Sequence, residues 1–402
     1  MKTTKPITCV SALLLTCVAP ILGLPRTLHP QARDSAKEQV TQLISSITSD
    51  FLGKLDASPD EHCSGGPISS SCTSDTVVYR REYGSLSEAE RLDYVNAVKC
   101  LQRLPARTPA SVAPGARSRI NQTLTLHFTG NFMPWHRWFV HVYETALRDE
   151  CGYRGYQPYW DWPKYMKAPQ DSPIFNGDPH SLGGNGQYIP HNGTVITPPE
   201  GVSGGNIQLP AGLGGGYVVT GPFANMTINL GPFGGTFVAE PGPDGGLGYN
   251  PRGLKRDVGP GITERYCNYT TVLEKPTITD YRLLSEGVPY TVEIGPHGGG
   301  HYVINGDPGG DLFTSPGDPA FWVHHGQMDR LWALWQTRDP STRYTQLDNG
   351  TYGHITWANS PASRLAELDD IIDVGYAGPS IKIRDAMSTT SGPFCYFYEE
   401  SS

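Results

Sequence analysis

Charge is scarce in this 402-residue chain. Only 17% of its residues are Asp, Glu, Lys or Arg, and acid outnumbers base, 39 against 31, for a net charge of -8. With no basic patch to meet a phosphate backbone, nucleic acid is not an expected partner. The one long apolar run, Ile7 to Leu24, follows Lys2 and Lys5, is broken by Cys9, Cys17 and Pro20, and ends near Gly23. It is short and lacks a stop-transfer flank, so a secretory signal over residues 1–23 is expected instead of a membrane anchor. Histidine is also absent between His62 and His127, and cysteine between Cys100 and Cys151.

Histidine is present where it counts. Three stretches carry it: His127-Phe-Thr-Gly-Asn-Phe-Met-Pro-Trp-His136-Arg137, His297-Gly-Gly-Gly-His301, and Asp318-Pro-Ala-Phe-Trp-Val-His324-His325-Gly-Gln-Met-Asp329. An all-imidazole donor set with no thiolate and no obvious ligand carboxylate suits copper or zinc and disfavours calcium and magnesium. His297 and His301 stand at i and i+4, so a helix puts both on one face. His325 and Asp329 share the same spacing. The reading here is that His325 is a ligand and Asp329 accepts its second ring N–H, fixing the tautomer.

Hydrophobic spacing predicts helices over Asp34–Leu55, Leu86–Gln102 (capped by Ser85 or Ser87), Thr129–Arg148, Thr277–Ser285, His297–Val303 and Phe321–Trp335. From 176 to 261 the composition shifts to Gly, Pro and Asn, which predicts a long surface excursion with short strands such as Gly216–Thr220. It either borders the substrate mouth or is a tolerated insertion. The expected fold is mainly α, with a histidine metal centre between packed helices and long Gly/Pro-rich loops, as a single domain over 24–402. His141, His180, His191, His324 and His354 read as core or solvated residues outside the site.

The pattern His127, Phe132, Met133, Trp135-His136-Arg137, Val140, Glu144 resembles the first copper motif of the tyrosinase, catechol oxidase and hemocyanin family. Asp318-Pro319, Phe321, His325 and Asp329 resemble its second, and Phe394-Cys-Tyr-Phe-Tyr398 its closing tyrosine motif. The similarity spans roughly Cys63 to Tyr398 and is nearest to short secreted fungal members. It implies two coppers, each on three histidines inside a four-helix bundle, that use molecular oxygen to oxidise phenols or catechols. His127 and His136 then correspond to the second and third ligands of site A. His297, His301 and His325 form the whole of site B and serve as the catalytic set.

One further residue, Gly298, follows from the same resemblance, and another, Tyr302, from its place next to His301. Gly298, just after the first site-B histidine, offers no polar group, so monophenol hydroxylation is expected to be weak and oxidation of catechols or aminophenols to persist. Tyr302 is the candidate pocket wall. Thr125 stands where many members carry cysteine, so no Cys-His thioether is expected. Only four residues follow the tyrosine motif, so no C-terminal lid is expected.

The first site-A ligand is missing: Arg119 stands in its place. A guanidinium stays protonated and offers no lone pair. Three explanations compete: a misplaced exon boundary in the translated sequence, a genuine loss that leaves one metal at site B, or completion by His62. A lone three-histidine site with an open position would suit one zinc acting as a Lewis acid in a non-oxidative rearrangement or elimination. A non-catalytic, hemocyanin-like metal binder is the third alternative.

Without the signal, six cysteines remain: Cys63, Cys72, Cys100, Cys151, Cys267 and Cys395. An even count in a secreted chain predicts three disulfides, for which fifteen pairings exist. Spacing favours Cys63–Cys72, and similarity to the family suggests Cys100–Cys151 and Cys267–Cys395. Asn192, Asn225, Asn268 and Asn349 are expected glycosylation acceptors, with Asn121 doubtful because it lies close to His127.

Overall fold

The computed structural model describes residues 42–51, 53, 72–118, 126–196, 206–233, 240–260, 268–288, 294–353 and 358–400. The signal segment, His62, Cys63, Arg119, Asn121, Thr125, Cys267 and His354 lie outside the described residues, as does the side chain of Asn268.

Helices dominate, and their ends follow local chemistry. Residues 42–51 are helical, and their Ile44, Ile47 and Phe51 are buried. Helix α1, Glu88–Arg103, starts on a capping box: the Ser87 hydroxyl accepts from the Glu90 N–H while the Glu90 carboxylate accepts from the Ser87 N–H. Helix α2, Phe132–Cys151, ends on Gly152 at φ 68°, the left-handed C-terminal stop that glycine tolerates best. Helix α3 is Asn268–Leu273. Helix α4, Ile278–Glu286, is capped by the Thr277 side chain. Helix α5, Pro296–Ile304, opens on proline, and α6, Ala320–Thr337, is buried along its whole length. Each predicted helix is present to within a few residues, apart from the first part of the earliest, which lies outside the described residues.

Packing runs α1 on α2, α2 on α6, α6 on α5, and α5 on α4, with α3 against α4 and α6. Between these helices lies one continuous apolar core rich in Trp, Tyr and Phe. The strands are short. β1 (Val78–Arg80) pairs in parallel with β10 (Tyr396–Tyr398), which brings the C-terminal motif beside the segment that leads into α1. Phe51 stacks on Phe397 at 4.2 Å, closing the same corner.

Between these lie β2 (Gly186–Tyr188) with β5 (Gly215–Val218), β3 (Thr194–Ile196) with β4 (Ile207–Leu209), β6 (Thr227–Ile228) with β7 (Arg252–Gly253), and β8 (Ile371–Ile372) with β9 (Ile381–Lys382). The first three pairs all fall in the Gly/Pro-rich excursion.

That excursion is fastened to the helices that carry histidine. Arg256 is fully buried and holds Asp318 through two bonds of 2.9 and 2.6 Å. Asp318 in turn accepts from the Ala320 N–H at the start of α6. Lys255 and Asp307 exchange backbone hydrogen bonds, the Asp257 N–H donates to the Ile304 carbonyl, and Asn305 donates to the Thr194 hydroxyl. A buried ion pair thus ties the excursion to the start of α6.

Two disulfides differ from or agree with expectation in an instructive way. Cys100–Cys151 forms, clipping the end of α1 to the end of α2. Cys72 pairs with Cys395 across 323 residues, which corrects both Cys63–Cys72 and Cys267–Cys395. The reason is the parallel β1–β10 pair: it brings the start of one strand beside the start of the other, with the two Cα atoms 5.3 Å apart, a normal bridging distance. Sequence spacing cannot register a contact between segments 323 residues apart.

Candidate metal centre

Helix α2 delivers His136, the turn before it His127, α5 His297 and His301, and α6 His325. All five lie in the interior: His127, His136, His297 and His325 are buried, and His301 is half-buried. Ring centroids are 6.0 Å apart for His127 and His136, 5.2 Å for His127 and His297, and 4.8 Å for His297 and His301. His136 stacks on His325 at 4.2 Å, which joins the two expected halves. Phe132 wedges between His136 and His297, 4.4 and 4.7 Å from them, as an apolar wall.

Nitrogen orientation favours ligation. The His136 Nδ1–H donates to the Phe132 carbonyl at 2.8 Å, which leaves Nε2 as the lone-pair nitrogen. His301 Nε2 and His325 Nε2 approach to 3.1 Å. Two nitrogens bound at about 2.0–2.1 Å to one tetrahedral ion would stand roughly 3.3 Å apart, so this separation suits a shared cation. Buried His297 Nε2 and His325 Nδ1 have no hydrogen-bond partner.

Burial keeps these rings neutral. It pushes His136 down to about 3 and His301 down to about 4. His127, His297 and His325 fall well below the usual imidazole value, again by burial first and by neighbouring imidazoles second. Neutral imidazole is the form that binds a metal. The donor set, the unpaired nitrogens and the neutrality together fit a copper or zinc ion.

Asp329 does not do what its spacing suggested. Its carboxylate accepts from Arg137 Nε at 2.6 Å, Arg80 Nη1 at 3.2 Å, the Tyr398 hydroxyl at 2.6 Å and the Tyr396 hydroxyl. Burial works to raise its pKa, but the two guanidiniums hold it below the usual carboxylate range. His325 Nδ1 therefore has no partner here, and the role of ring orienter is withdrawn. Two arginines from β1 and α2 and two tyrosines from β10 compete for the carboxylate and win, because an unpaired buried cation is the costlier alternative. Arg80 also bonds Glu144 at 3.0 Å and lies over the Tyr396 ring at 3.6 Å. Glu144, Arg137, Asp329 and the tyrosine motif thus form one buried brace behind the histidines.

The sequence reading missed two residues. His324, set aside as structural, is fully buried, and one nitrogen from each of His297, His301, His324 and His325 falls in a group lying within 4.8 Å of one another. Glu286, at the end of α4, accepts from the Phe128 N–H at 2.7 Å, and burial raises its pKa to about 8. Phe128, next to His127, adopts φ 61°, which a non-glycine residue rarely does unless it is held there. No spacing rule flags either contact.

The other assigned positions fall as follows. Gly298 and Tyr302 are adjacent on α5: a Cβ on Gly298 would stand 4.0 Å from Tyr302 and 2.4 Å from Ile294 Cγ2. His141 packs on Trp138 and Phe394, away from the group. His180 pairs with Glu88 and His191 with Asp257. Asn192, Asn225 and Asn349 are exposed.

Comparison with known proteins agrees with this geometry. The common central domain of tyrosinase matches residues 95–338. Tyrosinase-like protein orsC of Emericella nidulans is 42% identical over 320 residues, covering 75% of this chain and 85% of the relative. Tyrosinase P of Aspergillus terreus is 38% identical over 338 residues, 81% of this chain and 92% of the relative. The solved polyphenol oxidase of Thermothelomyces thermophila, a glycine-to-asparagine mutant, superposes with a TM-score of 0.81 at 59% identity, covering 90% of this chain and 98% of that one. Family, fold and histidine geometry therefore converge: this chain belongs to the tyrosinase family and is a copper oxidoreductase of that type.

Proposed function

We propose that the protein oxidises catechols or aminophenols with molecular oxygen at a copper pair held by His127 and His136 on one side and by His297, His301 and His325 on the other. The observation that carries this reading is the stack of His136 on His325, which sets the α2 imidazoles against the α5–α6 imidazoles within one buried pocket. Bound copper would supply the two-electron exchange between substrate and oxygen. The chain's part is to hold five neutral imidazoles, to keep water away with Phe132 and the surrounding aromatic core, and to fix His136 through the Phe132 carbonyl. Overall, two catechols each give two electrons and two protons and leave as quinones, and together these reduce one molecule of oxygen to two of water.

Gly298 supports the restriction to diphenols, since no side-chain polar group follows His297. A relative 35% identical over 350 residues, covering 82% of this chain and 94% of its own length, is the N-acetyl-6-hydroxytryptophan oxidase ivoB of Emericella nidulans, so a hydroxylated aromatic substrate has a precedent. A role in secondary metabolism and secretion of the processed chain from about residue 24 belong to the same proposal, as does glycosylation at Asn192, Asn225, Asn268 and Asn349. Among the described residues, no helix is long and apolar enough to cross a membrane.

A second reading has one observation in its favour. The tight nitrogen group is confined to the α5–α6 side, whereas among the described residues site A has only His127 and His136. One zinc or copper on His297, His301 and His325 would then polarise a substrate carbonyl without consuming oxygen. Metal counting with an oxygen electrode separates the readings. Two coppers per chain with oxygen uptake on catechol, and much less on a monophenol, are expected. One zinc with turnover but no oxygen uptake would favour the second reading, and bound metal without any turnover would contradict both.

A further inference from the structure

Asn349-Gly-Thr351 is an acceptor sequence for an N-linked glycan, and it lies between α4 and the turn that carries His127. On one side it grips that turn. The Gly130 N–H donates to the Thr351 carbonyl at 2.8 Å, the Gly353 N–H donates to the buried Asn131 Oδ1 at 2.9 Å, and the Ala358 N–H donates to the His127 carbonyl at 2.8 Å. On the other side it is held by α4: the Asn349 Oδ1 accepts from the Thr279 hydroxyl at 2.7 Å and from Arg282 Nη2 at 3.2 Å. Both neighbours require the glycine between. A Cβ on Gly350 would collide with Arg282 Nη1 and stand 2.7 Å from Gly130 Cα. The Asn349 side chain is exposed, and among the described residues its Nδ2 has no hydrogen-bond partner. Asn192 and Asn225 are exposed as well, yet among the described residues neither side chain is held by a hydrogen bond.

We propose that Asn349 carries an N-linked oligosaccharide, and that this glycan latches α4 to the turn that presents His127. The proposal rests on the secretory reading above, which takes the chain to the compartment where a lipid-linked oligosaccharide donor is found. In the transfer, Asn349 Nδ2 bonds to C1 of the donor's first N-acetylglucosamine, the bond from C1 to the pyrophosphate oxygen breaks, and the amide gives up one proton; nothing is oxidised or reduced. The product amide keeps its Oδ1. Both hydrogen bonds to α4 therefore survive the modification, and the sugar leaves from the nitrogen that takes no part in them. A side chain already fixed by two hydrogen bonds has little rotamer freedom left to lose, so the first sugar stays over the seam instead of sweeping through solvent. Cover at that point slows the local opening in which Thr351 releases Gly130 and the His127 turn comes loose. Glycans at Asn192 and Asn225, on side chains without such anchors, would leave the turn unaffected.

The test expresses the full chain in a yeast. Glycopeptide mass spectrometry should find Asn349 occupied, and hydrogen exchange should show the 127–131 amides exchanging at least about threefold faster in Thr351→Ala, which removes the acceptor sequence but keeps the Asn349 side chain and the carbonyl at 351. Asn225→Gln should leave that exchange unchanged. A bare Asn349 beside an occupied Asn192 or Asn225 would overturn the proposal. Equal exchange in Thr351→Ala and the unaltered chain would overturn it too, and would leave the glycan a surface group without effect on the turn. If Thr351→Ala fails to fold, the same comparison on the unaltered chain made while donor synthesis is blocked decides in its place. Retention of the chain inside the cell with every acceptor bare would sink the secretory reading itself, and this proposal with it.

Discussion

At the scale of single residues, the centre depends on charges that are kept away from it as much as on the nitrogens brought to it. Asp329 absorbs two buried guanidiniums, so removing it leaves Arg80 and Arg137 partly unpaired in the core. Asp329→Ala is expected to lower stability by roughly 3–5 kcal/mol, the usual cost of breaking a buried pair from one side. Denaturant unfolding checks this, and a loss under about 1 kcal/mol would mean that the brace is not essential.

The histidines carry a pH prediction whose sign follows from their depressed values. His136 near 3 and His301 near 4 lie below the roughly 6.5 of an unfolded chain, so as pH falls the unfolded state takes up protons first. Stability of the metal-free protein should therefore be full above about 6.5 and decline from there down towards about 4. The decline should be on the order of 3 kcal/mol for His301 alone. Melting of the metal-free chain that stays constant from pH 7 to 4.5 would contradict it. Of the proposed ligands, His297 and His301 were legible in the sequence through their i, i+4 spacing, and His127, His136 and His325 through motifs that resemble the tyrosinase family. Asp329's real partners were not, because Arg80, Tyr396 and Tyr398 reach it from strands far away in the chain.

At the scale of elements, α5 is the odd one. Its His-Gly-Gly-Gly-His core would be a poor isolated helix, each glycine costing about 1 kcal/mol against alanine. It forms because its surroundings require it: Pro296 opens it, and the glycines at 298 and 300 admit Ile294 and His324 at distances no side chain would allow. The excursion clamps its far end through Asp257, Asn305 and Asp307.

Composition alone left the excursion either at the substrate mouth or idle, since glycine-rich sequence has no period to read. The buried Arg256–Asp318 pair gives it a third role, as a clamp on the start of α6. Arg256→Met should leave Asp318 buried and unpaired and cost about 3–5 kcal/mol of stability. Metal retention should weaken with it. Unfolding and metal analysis of the variant test both, and unchanged values would return the excursion to the status of a passive insertion.

At the scale of the whole molecule, two distant segments, 72–80 and 395–398, are tied together behind the histidine-bearing helices. β1 pairs with β10, Cys72 bonds Cys395, and Tyr396 and Tyr398 reach Asp329 on α6. Helix positions could be read from local periodicity, and the histidine set from short motifs that resemble the tyrosinase family. This closure could not, because parallel strands more than 300 residues apart leave no local signal. The same distance explains why spacing gave Cys72 the wrong partner.

What the architecture accomplishes is the convergence of imidazoles from α2, α5 and α6 in a pocket where burial keeps them neutral. Anomalous diffraction at the copper edge from copper-loaded crystals tests that convergence most directly. A strong peak within about 2.0–2.2 Å of the Nε2 atoms of His297, His301 and His325 is predicted, with a second peak beside His127 and His136 if the pair is complete. No peak among those rings, in protein that analysis shows to contain copper, would contradict it.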